Sequence, residues 1–246
     1  MIVTSGFRDL DTPAGVMRVH TYTPVASSER SFPGLLLYPE IFQQTGPITR
    51  LATQFASHGY VVVAPEIFHE HEPPGTVLAY DDAGRDRGNF CKYGTAISTF
   101  DHDASLCIEL LSADPSCNGS IGTVGFCIGG HLAFRAALDP RVLAACCFYP
   151  TDIHNGEIGL GRSADTLGRV AAIAGELVMV FGRQDPHVPQ EGRRRIHDAL
   201  SAAEVHFSWH ELNAQHAFMR DEGARYDAEA SALGMAIALA LFGRAL

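Results

Sequence analysis

A cysteine stands among glycines in the run GFCIGG, residues 125–130, directly after the stretch SIGTV. A strand that ends in G-x-C-x-G and opens into a helix is a turn that presents a nucleophile. Small neighbours let the chain turn sharply, and the helix N-terminus favours a thiolate over a thiol. Cys127 is therefore the candidate nucleophile. The glycines around it do not have the G-x-G-x-x-G spacing of a dinucleotide site. A thiol nucleophile needs a base for its proton and a carboxylate to orient that base. In such a turn the chain order is nucleophile, acid, base. Asp185, in VMVFGRQDPHVP, lies just past an apolar run, and His216, in WHELNAQHAF, follows the last one, so the order is met. His187, two residues from Asp185, is a competing base and ranks second.

Glu40 closes the apolar run LLLYP. A carboxylate at the end of a buried strand is costly unless paired. That strand is expected to be central in the sheet, which puts Glu40 near Cys127. The backbone N–H groups of Ile41 and Ile128 are then placed to form an oxyanion hole. FHEHE, residues 68–72, offers His69 and His71 to a metal. A lone H-x-H with flanking glutamates in a loop is a weak ligand set, so neither a metal nor another cofactor is expected.

The elements that must position these groups are legible as alternating patterns. Continuous apolar runs at residues 34–40 and 61–66 read as buried strands, and residues 120–126, 142–149, 176–182 and 205–209 read as further strands. Helical-period stretches lie at about 49–60, 94–112, from 129, 189–201 and 224–243. GVMRVHTYTP, residues 15–24, alternates like an antiparallel edge strand. Strands alternating with helices predict an α/β fold, a mainly parallel sheet with helices on both faces. In such sheets ligands collect at the carboxyl ends of the strands, where Glu40, Cys127, Asp185 and His216 all fall. The chain reads as one domain over residues 1–246, with a polar, Pro/Gly-rich, lid-like segment at about 68–93.

Composition excludes other classes. Apolar residues make up 46% and charged residues 19% of the 246, an ordinary globular balance. A net charge of −10 without a Lys/Arg cluster argues against a nucleic-acid partner. No apolar run reaches the roughly 20 residues of a membrane span, and no secretory signal is visible, so a cytoplasmic protein without a membrane partner is expected. Six cysteines then read as reduced thiols, with Cys146 and Cys147 on opposite faces of one strand.

Taken together, PEIF, GFCIGG, GRQDPHVP and HAFMR resemble the dienelactone hydrolases, cysteine members of the α/β-hydrolase fold. The resemblance covers roughly residues 33–243, and PEIFHEHEPPGT is similar to the start of that family's lid. It implies a hydrolase of lactones or activated esters bearing a carboxylate, with Cys127, Asp185 and His216 as triad and a thioester intermediate. Glu40 matches the family glutamate that accepts the thiol proton. The family binds the substrate carboxylate with arginines, one of which pairs with that glutamate at rest. Arg220 matches the arginine after the catalytic histidine, and GRDRGNF in the lid offers Arg85 or Arg87 as the second. The implied partner is a small anionic lactone or ester. A broader esterase or thioesterase, and a non-catalytic binding protein, are the alternatives.

Overall fold

The computed structural model describes residues 1–25 and 31–246. The described residues form eight strands: β1 (Val3–Thr12), β2 (Gly15–Pro24), β3 (Phe32–Tyr38), β4 (Val61–Pro65), β5 (Cys117–Phe126), β6 (Val142–Phe148), β7 (Glu176–Gly182) and β8 (Phe207–Leu212). Between and after them lie α1 (Gly46–Ser57), α2 (Asp82–Gly94), α3 (Ile97–Ala113), α4 (Ile128–Ala136), α5 (Gln190–Ala202) and α6 (Ala228–Ala245). A short 3-10 helix covers Thr166–Ala172.

All eight strands join one sheet in the order β1-β2-β4-β3-β5-β6-β7-β8. From β4 to β8 the neighbours run parallel, and the central strands β3, β4, β6 and β7 are covered on both faces, which is why they are apolar on both sides. Leu36 and Tyr38 of β3 pack on the face covered by α3 and α4, and Leu35 and Leu37 on the face covered by α1 and α6. Cys147 belongs to the first face and Cys146 to the second, as alternation along a strand requires. The sheet is the mainly parallel α/β-hydrolase arrangement.

Register brings the carboxyl ends of the central strands level. Tyr38 pairs with Gly125, Phe126 with Phe148, Phe148 with Val180, and Gly182 with Leu212. The loops that leave these ends carry Glu40, Cys127, Asp185 and His216.

Three elements differ from the sequence reading. Residues 15–24 are an antiparallel strand but not the sheet edge, because β1 pairs with β2 along its whole length. β1 is exposed over most of both faces, so it carries little apolar pattern to read. Within the 68–93 segment, residues from 82 onward form α2, whose polar sequence hides a helical period. The helix is started by Asp81, whose carboxylate accepts the Gly84 N–H at 2.7 Å. The irregular part is tied down by Gln43, which donates to the Thr76 carbonyl and accepts from the Phe68 N–H, and by the Leu78 N–H donating to Phe42. At its far end α2 is held by the Lys92–Asp152 ion pair at 2.9 Å and by Arg162, 3.8 Å from the Tyr93 ring centroid. Finally, the 18-residue α6 is apolar enough to cross a membrane by length and composition. In this fold it lies on the sheet, with Gly234, Met235, Ala238, Leu241 and Phe242 buried.

Phe242 anchors that packing: it is fully buried and meets Phe55 and Tyr60 edge-on at 6.1 and 5.9 Å. Phe242→Ala is expected to cost about 3–5 kcal/mol in urea unfolding, the usual range for truncating a buried aromatic. A cost below about 1 kcal/mol would contradict the core role of α6.

Candidate active site

The turn between β5 and α4 is set by backbone contact. A Cβ on Gly125 would lie 1.9 Å from the Gly129 carbonyl oxygen, and one on Gly129 would lie 2.4 Å from that of Pro39. Only glycine allows either approach. Between them Cys127 has φ 60 and ψ −122, a conformation that non-glycine residues rarely adopt. It is held there by its N–H donating to the Phe148 carbonyl at 3.1 Å, and by its carbonyl accepting the Gly130 and Thr151 N–H groups at 3.0 and 3.2 Å.

Two further strand ends supply the polar partners. Gly182 closes β7 against the β8 loop, where a Cβ would lie 2.5 Å from the Ala214 oxygen, and the Gln184 N–H donates to that same carbonyl. This contact carries Asp185 to His216. Nδ1 of His216 lies 2.7 Å from Oδ2 of Asp185, and both side chains are buried. A carboxylate only accepts, so Nδ1 carries the proton. The other Asp185 oxygen accepts the His187 N–H at 2.8 Å. His187 therefore fixes the acid through its backbone, while its ring sits edge-on to His216 at 4.6 Å.

Electrostatics separate the two buried carboxyl groups. Burial would raise the pKa of Asp185, but the hydrogen bond and charge of His216 outweigh it and leave it below the usual value. Burial would lower the pKa of His216, but its interactions with Cys127 and with the Asp185 carboxylate raise it to about 10. Glu40 is 3% exposed and behaves oppositely to Asp185. Burial raises its pKa against the opposing charges of Arg220 and His216. Nη1 of Arg220 donates to Oε2 of Glu40 at a long 3.4 Å, and Oε1 has no protein partner.

The amides of Ile41 and Ile128 complete the set. Among the described residues neither donates to a protein acceptor, and Ile128, in the first turn of α4, has no intrahelical one.

The structure thus brings Cys127, Asp185, His216, Glu40, Ile41, Ile128 and Arg220 to one end of the sheet. It does not bring the lid arginines there. Arg85 bonds Asp82 and Asp86 on the exposed face of α2. Arg87 bonds Glu72 and the His71 carbonyl, with its guanidinium 4.9 Å from the Phe90 ring centroid. Local acidic neighbours, invisible as partners in the sequence, have claimed both. The two histidines of the H-x-H diverge as well. His69 is buried on Asp103 at 2.8 Å and His71 lies against Glu70 at 3.7 Å. Among the described residues no three His, Cys, Asp or Glu side chains are grouped to hold a metal.

Sequence reasoning missed three aromatic neighbours. Tyr149, at the end of β6, is buried with φ 36 and meets His216 edge-on at 5.1 Å. Its position one residue past a strand end was the available signal. Phe42 and Tyr80 flank Arg220, and nothing in their local sequence marks them.

A family model described as the dienelactone hydrolase family matches residues 17–246. A Saccharomyces cerevisiae protein provisionally named a carboxymethylenebutenolidase is 45% identical over 230 residues, covering 90% of this chain and 84% of its own. The carboxymethylenebutenolidase of Pseudomonas putida is 29% identical, over 87% of each chain. A crystal structure of a provisionally named dienelactone hydrolase from Klebsiella pneumoniae superposes with a TM-score of 0.86 at 20% identity, covering 99% of this chain and 100% of that one.

Asp185→Asn keeps a side chain of the same shape but removes the charge that supports the imidazolium. The His216 titration, followed by NMR, is expected to move below about 10. Ester turnover is expected to fall about a thousandfold or more, as when a triad acid loses its charge. An unmoved His216 titration would contradict this electrostatic account.

Proposed function

The chain belongs to the dienelactone hydrolase family and is a carboxylic-ester hydrolase, and on that premise we propose that it cleaves a small lactone or enol ester carrying a carboxylate, through a thioester on Cys127. The observation that supports this most directly is the pairing of two His216 neighbours, Asp185 at Nδ1 and Cys127 on the strained turn.

In this reading the substrate carboxylate takes Arg220 from Glu40. The Arg220–Glu40 bond is long and single, and so readily exchanged. Glu40, buried and with a raised pKa, accepts the thiol proton. The thiolate sulfur bonds the acyl carbon, and the carbonyl oxygen takes the electron pair against the Ile41 and Ile128 amides. Collapse breaks the ring C–O bond, and the enolate leaves and takes the proton held by Glu40.

His216, neutral through acylation and oriented by Asp185, takes a proton from water as the hydroxide oxygen bonds the thioester carbon. The C–S bond breaks, the acid leaves, and the thiolate recovers its proton from His216. A thiolate suits this reaction because activated enol esters have good leaving groups.

A second reading, a broader esterase without a carboxylate requirement, is favoured by the engagement of Arg85 and Arg87 with their own acidic neighbours. Hydrolysis of a carboxylated dienelactone and of p-nitrophenyl acetate separates the two. The first reading expects a strong preference for the anion, lost turnover in Cys127→Ala, and a preference reduced about 10- to 100-fold in Arg220→Ala, the worth of a charge-assisted hydrogen bond. Equal or better turnover of the neutral ester would support the second. Iodoacetamide labelling of Cys127 should accelerate when a carboxylated substrate analogue is added, and an unchanged rate would exclude gating through Glu40.

A further inference from the structure

A guanidinium carries five N–H donors in one plane, and hydrogen bonds ordinarily set its orientation. Arg220 is held otherwise. Among the described residues its side chain makes one hydrogen bond, the 3.4 Å bond to Glu40, and its Nε is buried without a protein partner. Beyond that bond, two aromatic rings lie against it. The guanidinium carbon lies 4.5 Å from the centroid of Tyr80 and 5.5 Å from that of Phe42, and the rings meet edge to face at 4.8 Å.

Both rings are themselves fixed to the segment that carries Glu40 and Ile41. Tyr80 donates its hydroxyl to Oγ1 of Thr45 at 2.6 Å, immediately before α1. The Phe42 carbonyl accepts the Leu78 N–H at 3.1 Å, which ties the Tyr80 strand of chain to the same loop. Ring faces attract a cation but cannot replace its in-plane hydrogen bonds. They can therefore hold the plane of Arg220 while its N–H edge changes partner.

Resting on the carboxylate reading above, we propose that Tyr80 is a specificity-determining residue: with Phe42 it holds the Arg220 guanidinium by its face, leaving the N–H edge free to pass from Glu40 to a substrate carboxylate. The ring contact remains when Glu40 is exchanged, so the guanidinium is never left without a partner. Burial, and secondarily the charge of Glu40, keep the Tyr80 hydroxyl protonated, so it brings no competing anion to Arg220. With Arg85 and Arg87 bound to their own acidic neighbours, Arg220 is, among the described residues, the one of the three candidate arginines at the site that the sequence had assigned to two.

The test compares kcat and KM for the carboxylated dienelactone and for p-nitrophenyl acetate in wild type, Tyr80→Leu, Tyr80→Phe and Phe42→Leu. In Tyr80→Leu the anion-to-neutral ratio of kcat/KM is expected to fall about tenfold, within the range of a partly desolvated cation–π contact, with the change carried mainly by the KM of the anion. Tyr80→Phe, which keeps the ring, should stay within about twofold of wild type, and Phe42→Leu should show a smaller fall of the same kind. A wild-type ratio near one overturns the carboxylate reading and this inference with it. A high wild-type ratio that survives Tyr80→Leu overturns this inference alone. So does an equal loss on both esters, which is the mark of a merely structural role, or a Tyr80→Phe variant as impaired as Tyr80→Leu.

Discussion

The backbone of Gly129 lies so close to the loop after β3 that a Cβ there would sit 2.4 Å from the Pro39 oxygen and 2.5 Å from that of Tyr38. This contact ties the first turn of α4 to the segment that begins with Glu40. Because β3 and β5 are sheet neighbours with Tyr38 opposite Gly125, Cys127 and the buried Glu40 are positioned by the same few peptide groups. The positive φ of Cys127 costs of order 1–3 kcal/mol and persists because the surrounding hydrogen bonds over-determine it. Side chains larger than hydrogen at residues 125 or 129 would separate these groups before any chemistry began.

On that frame two buried carboxyl groups have their pKa values pushed in opposite directions. Asp185 is stabilised as an anion by a hydrogen bond to His216 and by the His187 amide. Glu40 has one long bond to Arg220 and an oxygen without a protein partner, so burial dominates and raises its pKa. Environments that push two titratable groups apart suit them to different roles. His216 bonds Asp185 and lies within electrostatic reach of Glu40.

The outer wall of the site has a different character. Residues 68–80 have no regular secondary structure, yet Gln43, Leu78 and Tyr80 bind them to the β3 loop, and Lys92 and Tyr93 bind α2 to the loops after β6. This wall contributes aromatic faces rather than extra positive charge. On this side Arg220 is flanked by the rings of Phe42 and Tyr80 rather than by a second arginine.

The α/β alternation, the strand ends, the glycine-flanked Cys127 and the order Cys127, Asp185, His216 were all legible in the sequence. Each rests on a local rule, an apolar period of two or 3.6 or a turn that tolerates only glycine, and local rules survive folding. β1 and α2 were not legible, because one is exposed on both faces and the other is polar, so neither carries an apolar period. Which arginine faces the site was also beyond the sequence. Arg85, Arg87 and Arg220 are the same chemical group, and their partners were chosen by distance in the folded chain: Asp82 and Asp86 for the first, Glu72 for the second, Glu40 with two aromatic rings for the third. Charges pair with whatever opposite charge the backbone brings within a few ångströms, and that proximity exists only after the sheet has formed.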